Sequence, residues 1–178
     1  MSFDLKFGHV GIFVTDIARM EDFYTRFMGL TVTDRGDLPH VSLVFLSSDP
    51  NEHHQFVLAT GRPADIDFNV INQLSFRVGG LKDLKTVYSA LGDEPVSDIA
   101  PVNHGATWAL YFRDPEGNRI ELYCDSPWYV QQPQREILDL SLSDDAIIAE
   151  TEALCRTLPG FQPMSDWKAN IATKMAAN

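Results

Sequence analysis

A shift of 64 residues (73 − 9) lays this chain on itself, pairing Gly8-His-Val-Gly-Ile-Phe-Val14 with Asn72-Gln-Leu-Ser-Phe-Arg-Val78, two short β-like runs. The match continues into helices: Ile17, Met20, Phe23, Tyr24 and Phe27 fall on Leu81, Leu84, Val87, Tyr88 and Leu91, a spacing that builds one apolar helix face per copy. Asp16 is placed to cap the first helix, and Gly29 and Gly92 punctuate the helix ends. At a shift of 65 (114 − 49), Val44-Phe-Leu-Ser-Ser-Asp49-Pro50 lies on Ala109-Leu-Tyr-Phe-Arg-Asp114-Pro115, a strand running into an Asp-Pro turn. One more apolar strand follows each turn, Gln55 to Ala59 and Arg119 to Tyr123.

Each copy therefore predicts strand, helix and three strands. A single such unit leaves a sheet face bare, so two must share a core. The expected class is α+β: two tandem β-α-β-β-β modules, about residues 7–60 and 71–126, forming one cleft-enclosing mixed sheet within a domain spanning 1–130. Residues 60–70, with Gly61, Pro63 and alternating acids, read as the linker. Residues 131–178 read as a C-terminal helical extension, with Ser143 capping a helix and a loose end beyond it.

Charge and cysteine usage narrow the partners. With 14 basic against 25 acidic residues the net charge is −11, which would repel a phosphate backbone, so no nucleic acid is expected. Cys124 and Cys155 lie outside any Cys-x-x-Cys spacing and read as two buried thiols, which suits a reducing cytoplasm. No apolar stretch reaches the ~18 residues of a membrane span, and Met-Ser-Phe-Asp-Leu-Lys lacks the order of a signal peptide.

Chemistry-bearing residues sit at matching places in this frame. His9 stands at the first strand of copy one, Glu121 on the last strand of copy two, and His54, His104 and Tyr111 beside other strands. The run from His104-Gly105 through Tyr111 to Arg113-Asp-Pro-Glu-Gly-Asn-Arg-Ile-Glu121-Leu-Tyr123 resembles the vicinal oxygen chelate superfamily (glyoxalase, bleomycin resistance, extradiol dioxygenase). Within it the likeness is to type I extradiol ring-cleavage dioxygenases of the biphenyl-2,3-diol dioxygenase kind, over about residues 7–130.

That resemblance implies an oxidoreductase of aromatic compound degradation. Two histidines and a glutamate would hold a non-haem Fe(II), with Mn(II) or another divalent metal as substitute, and leave positions open for a catechol-like vicinal diol and O2. Carried over residue by residue, His9 and Glu121 fall on ligands, His54 on a proton-handling histidine, and His104 and Tyr111 on pocket groups that hydrogen-bond substrate oxygen. Gln73 falls where the family carries its other ligand histidine. An amide oxygen is a weaker donor than imidazole nitrogen, yet some glyoxalase I proteins use one, so the implied metal set is His9, Gln73 and Glu121. The resemblance also allows two chains to pair as a homodimer. Two alternatives stay open: a glyoxalase-like lyase or isomerase, set back because Gln55-Phe-Val-Leu58 lacks that family's further glutamate, and a metal-poor protein that binds an aromatic ligand.

Overall fold

The computed structural model describes residues 5–63, 65–66 and 68–176. The first four residues of the N-terminal reading, and residues 64 and 67 of the expected linker, lie outside the described residues. The chain is α+β and divides into two compact units, 1–70 and 71–178.

In the first unit β1 (Val10–Val14) leads into α1 (Ile17–Asp22), where the Asp16 side chain accepts from the Arg19 amide at 3.0 Å and so caps the helix. The helix widens into a π-helical turn, Phe23–Phe27, and Gly29 at φ 74° supplies the left-handed residue that closes it. Three strands follow: β2 (Thr31–Leu38), β3 (Val41–Ser47) and β4 (Phe56–Thr60). Their order is β1-β4-β3-β2, with β1 parallel to β4 and the other pairs antiparallel. Met20, Phe23 and Tyr24 are fully buried, and the Tyr24 ring lies 4.6 Å from that of Phe56. Each such side chain contributes about 1.5–3 kcal/mol by leaving water, which is what fastens this short helix to its sheet.

The second unit repeats the plan: β5 (Leu74–Arg77), α2 (Leu81–Ala90), a 3-10 turn, then β6 (Ser97–Asn103), β7 (Thr107–Arg113) and β8 (Arg119–Asp125). The order β5-β8-β7-β6, with β5 parallel to β8, is that of the first unit. The strands are thus hydrogen-bonded as one mixed sheet per copy. Leu81, Leu84 and Leu91 are buried as the helix spacing predicts, whereas Tyr88 is 43% exposed. Strand alternation sends Leu110, Phe112, Ile120 and Leu122 to one face of this sheet and Tyr111 and Glu121 to the other.

The tail is more ordered than a helix with a loose end. Two-residue strands β9 (Trp128–Tyr129) and β10 (Glu136–Ile137) precede α3 (Asp144–Cys155), capped by Ser143, and β11 (Gln162–Pro163) precedes a second helix, α4 (Met164–Ala176). No α4 residue is buried, so no apolar stripe announces it. It is held by Trp167 stacked on Tyr129 at 5.0 Å and by Lys168 on Asp125 at 2.8 Å. On α3 the buried Thr151 hydroxyl accepts from Asn103 Nδ2 and Trp108 Nε1, both at 2.8 Å, which ties the tail to the hairpin between β6 and β7. Gly105 on that hairpin has φ 73°, and a Cβ there would meet Val130 at 2.6 Å. Cys124 and Cys155 are free and buried, and burial pushes the Cys124 thiol up to about 11. No helix of the described residues is long and apolar enough to cross a membrane.

Candidate active site

Strand pairing assembles the polar face of the second unit. Glu121 stands directly between Ser75 on β5 and Tyr111 on β7. The turn Asp114-Pro-Glu-Gly sets this register: the Asp114 carboxylate accepts from the amides of Glu116 at 3.0 Å and Asn118 at 2.8 Å, and Gly117 takes φ 81°. Glu121 is buried, and its hydrogen bonds among the described residues are all with neutral donors. Gln73 Nε2 donates to Oε2 at 2.7 Å, the Ser75 hydroxyl donates to the same oxygen, and the Tyr111 hydroxyl donates to Oε1. Burial first, then the bond to Glu121, hold the Tyr111 phenol above its ordinary range, so it stays a protonated donor.

His104 extends this chain of hydrogen bonds. Its Nδ1 lies 2.5 Å from the Gln134 carbonyl, which can only accept, so Nδ1 carries a proton. Its Nε2 is 3.0 Å from the Tyr111 hydroxyl. Gln73, Glu121, Tyr111 and His104 are therefore brought together in one linked set.

In the first unit His9 precedes β1 and His54 lies in the turn before β4. Their rings are 4.3 Å apart, His54 Nδ1 is 2.8 Å from His53 Nδ1, and the Phe45 ring packs at 5.1 Å from His54. Burial, then the neighbouring His9 and His53, lower the His54 pKa, with Glu52 opposing. His53 is thus a direct partner of His54 within an imidazole cluster.

The sequence profile of the Glyoxalase/Bleomycin resistance protein/Dioxygenase superfamily matches residues 6–122. This chain belongs to that superfamily. It is 29% identical over 126 residues to the biphenyl-2,3-diol 1,2-dioxygenases 2 and 3 of Rhodococcus globerulus, an overlap of 68% of this chain and of 63% and 64% of theirs. It therefore spans less than two thirds of the length of these curated relatives. A glyoxylase/bleomycin resistance protein/dioxygenase domain from Frankia sp. EAN1pec shares its fold, with a TM-score of 0.59 and 23% identity over 70% of this chain and 99% of that one.

For a vicinal oxygen chelate protein the donor chemistry of the second unit suits a hard divalent cation. A buried carboxylate met only by neutral dipoles stands beside an amide, and a half-turn of that amide would offer its oxygen in place of its nitrogen. Among the described residues no group of three or more His, Cys, Asp and Glu side chains is gathered for a metal ion.

Three residues of this face escaped the sequence reading. Ser75 follows Gln73 by two and Arg119 precedes Glu121 by two, so alternation alone puts them on the same face. Arg135 arrives from the tail, directly before β10, which pairs with β6 at the edge of this sheet. The guanidinium of Arg119 lies 4.5 Å, and that of Arg135 5.7 Å, from the Tyr111 ring centre. Trp108, on β7, is buried with its Nε1 donating to the Thr151 hydroxyl.

Proposed function

We propose that this chain is an extradiol-type dioxygenase, opening the ring of a catechol-like vicinal diol with O2 at a non-haem Fe(II) centre. The observation that carries the proposal is the linked set Gln73, Glu121, Tyr111 and His104, a buried carboxylate at the end of a chain of proton-bearing groups. The likeness to two biphenyl-2,3-diol dioxygenases supports it. Gln73 and Glu121 would be among the residues that hold the metal, with Mn(II) the nearest substitute. When bound, the metal supplies Lewis acidity and redox capacity to the diol and O2.

The remaining work falls to the chain's own residues. Tyr111, kept as a phenol, offers its hydroxyl beside Glu121, where a diol oxygen would bring negative charge. His104 stands behind it, its orientation set by the Gln134 carbonyl and its Nε2 within hydrogen-bond reach of the phenol oxygen at 3.0 Å. In the first unit His54, its pKa lowered by burial and by the neighbouring His9 and His53, is suited to accept a proton rather than to give one. The buried, unpaired thiols accord with work in the cytoplasm.

One contact favours a second reading. Gln73 turns its amide nitrogen to Glu121, which satisfies the carboxylate without a cation, as in a metal-poor protein that binds aromatic ligands. Anaerobic loading with Fe(II), desalting and metal analysis separates the two. Close to one equivalent per chain, with O2 uptake on adding catechol, is the result expected of the dioxygenase; iron near zero leaves the metal-poor binder. Gln73→His should raise iron affinity by roughly tenfold or more, and an unchanged affinity would remove residue 73 from the ligand set.

A further inference from the structure

Beside Tyr111 the second unit holds a cavity of about 270 Å³, lined by Asp98, Ala100, Tyr111, Phe112, Arg113, Arg119 and Arg135. That is close to the lower end of small-molecule sites, about 300 Å³. Three guanidiniums and one carboxylate line it, in a chain whose net charge is −11. Arg113 and Asp98 neutralise each other: Arg113 Nε is 2.5 Å from Asp98 Oδ2, and its NH1 also donates to the Gly117 carbonyl at 2.9 Å. Arg119 and Arg135 have no carboxylate partner among the described residues; their contact is with the Tyr111 ring. A guanidinium lying over an aromatic ring keeps its N–H edge free, and that edge matches a carboxylate with two parallel hydrogen bonds.

Neither cation is placed by chance of a loose side chain. Arg119 sits on β8, two residues before Glu121 and on the same face. Arg135 follows directly on the segment that fixes His104: Gln134 accepts from His104 Nδ1 at 2.5 Å, and Gln132 Nε2 donates to the His104 carbonyl at 2.8 Å. The Tyr111 hydroxyl thus faces Glu121 while its ring faces the two guanidiniums, so a charged site lies one phenol ring away from the carboxylate.

We propose that Arg119 and Arg135 bind a carboxylate on the substrate, which makes the substrate class a vicinal diol bearing an acidic group; this rests on the dioxygenase reading above. A purely apolar diol, such as the names of the Rhodococcus relatives describe, leaves both guanidiniums without a partner. An extended polyanion is repelled by the acidic chain, so the fit is to a small anion. Because guanidinium does not deprotonate in the working range, the preference holds across neutral pH.

The test is anaerobic calorimetry on the Fe(II)-loaded chain with 3,4-dihydroxybenzoate, catechol and benzoate, repeated on Arg119→Gln and Arg135→Gln. Arg135 is exposed, so its variant reports even where Arg119→Gln folds poorly. The expected result is that 3,4-dihydroxybenzoate binds roughly tenfold or more tightly than catechol, the worth of charge-assisted hydrogen bonds, and that the ratio moves toward one in either variant. Equal affinity for the two diols in the unaltered chain overturns the proposal and leaves the dioxygenase reading standing. If neither diol binds, the dioxygenase reading fails and benzoate decides: saturable binding that weakens in the arginine variants keeps the anion site, and no binding overturns it.

Discussion

The two copies share a strand order and differ in what they place on it. In the second unit the row across the sheet reads Ser75, Glu121, Tyr111, three side chains joined by hydrogen bonds. The corresponding row of the first unit, found by the same pairings, reads Gly11, Val57, Phe45. Topology is therefore indifferent to the chemistry it carries: a carboxylate and a phenol replace a valine and a phenylalanine with no change in pairing. The turns differ as well. From Phe45 to Val57 is twelve residues (57 − 45), from Tyr111 to Glu121 ten (121 − 111), and the longer turn carries Glu52, His53 and His54. One copy thus builds its polar groups into the sheet and the other hangs them on a loop.

The sharpest way to break this contrast is to write copy one into copy two. Glu121→Val installs the residue of position 57 in the middle of the row. Ser75 is exposed and can turn to water, so the sheet should survive. Iron affinity should fall on the order of a hundredfold or more, read by metal analysis after anaerobic loading. Full occupancy in this variant would mean that the carboxylate is not a ligand.

Tyr111→Phe, the copy of position 45, is the next step down. It removes the donor to Glu121 and the partner of His104 while keeping the ring on which both arginines rest. The expected loss is about a hundredfold in kcat for ring cleavage with KM little changed, the usual worth of a positioned proton donor. A loss below about threefold would reduce the phenol to a brace for the carboxylate, and the two copies would then differ in packing rather than in chemistry.

The frame of both copies is legible in sequence because its signals are local. Apolar alternation marks the strands, the spacing from Met20 to Tyr24 and from Leu81 to Leu84 marks the helices, and Asp16 marks a cap. Gln73, Glu121, Tyr111 and His104 are legible for another reason, their place in a family motif, and the structure links them. What escapes depends on distant partners. Gln134 comes to His104, and Arg135 to the Tyr111 ring, from a segment some thirty residues on (134 − 104), and α4 is held by contacts such as a ring stack and an ion pair rather than by an apolar face. Tyr88 shows the converse, an aromatic that fits the helix period and still faces water. Periodicity records which residues share a face, and the partner across that face is a fact of tertiary structure.

The smallest expected effect concerns the loop of copy one. Burial lowers the His54 pKa, and His9 and His53 add like-charge repulsion, so its proton-titration midpoint, followed by the imidazole resonances, should fall below the ordinary value of about 6.5. A base with a depressed folded-state pKa binds protons more readily once unfolded. Its contribution to stability is therefore fully present above about pH 6.5 and is lost as the pH falls through the folded value, although the exposure of this group keeps the effect slight. His53→Ala should move the midpoint back up by removing one of the two repelling rings, while burial, the larger cause, remains. A midpoint at or above the ordinary value would mean that Glu52, which opposes the shift, outweighs burial and the two imidazoles together. His54 would then carry a proton at neutrality, and the loop of copy one would serve as a donor rather than an acceptor.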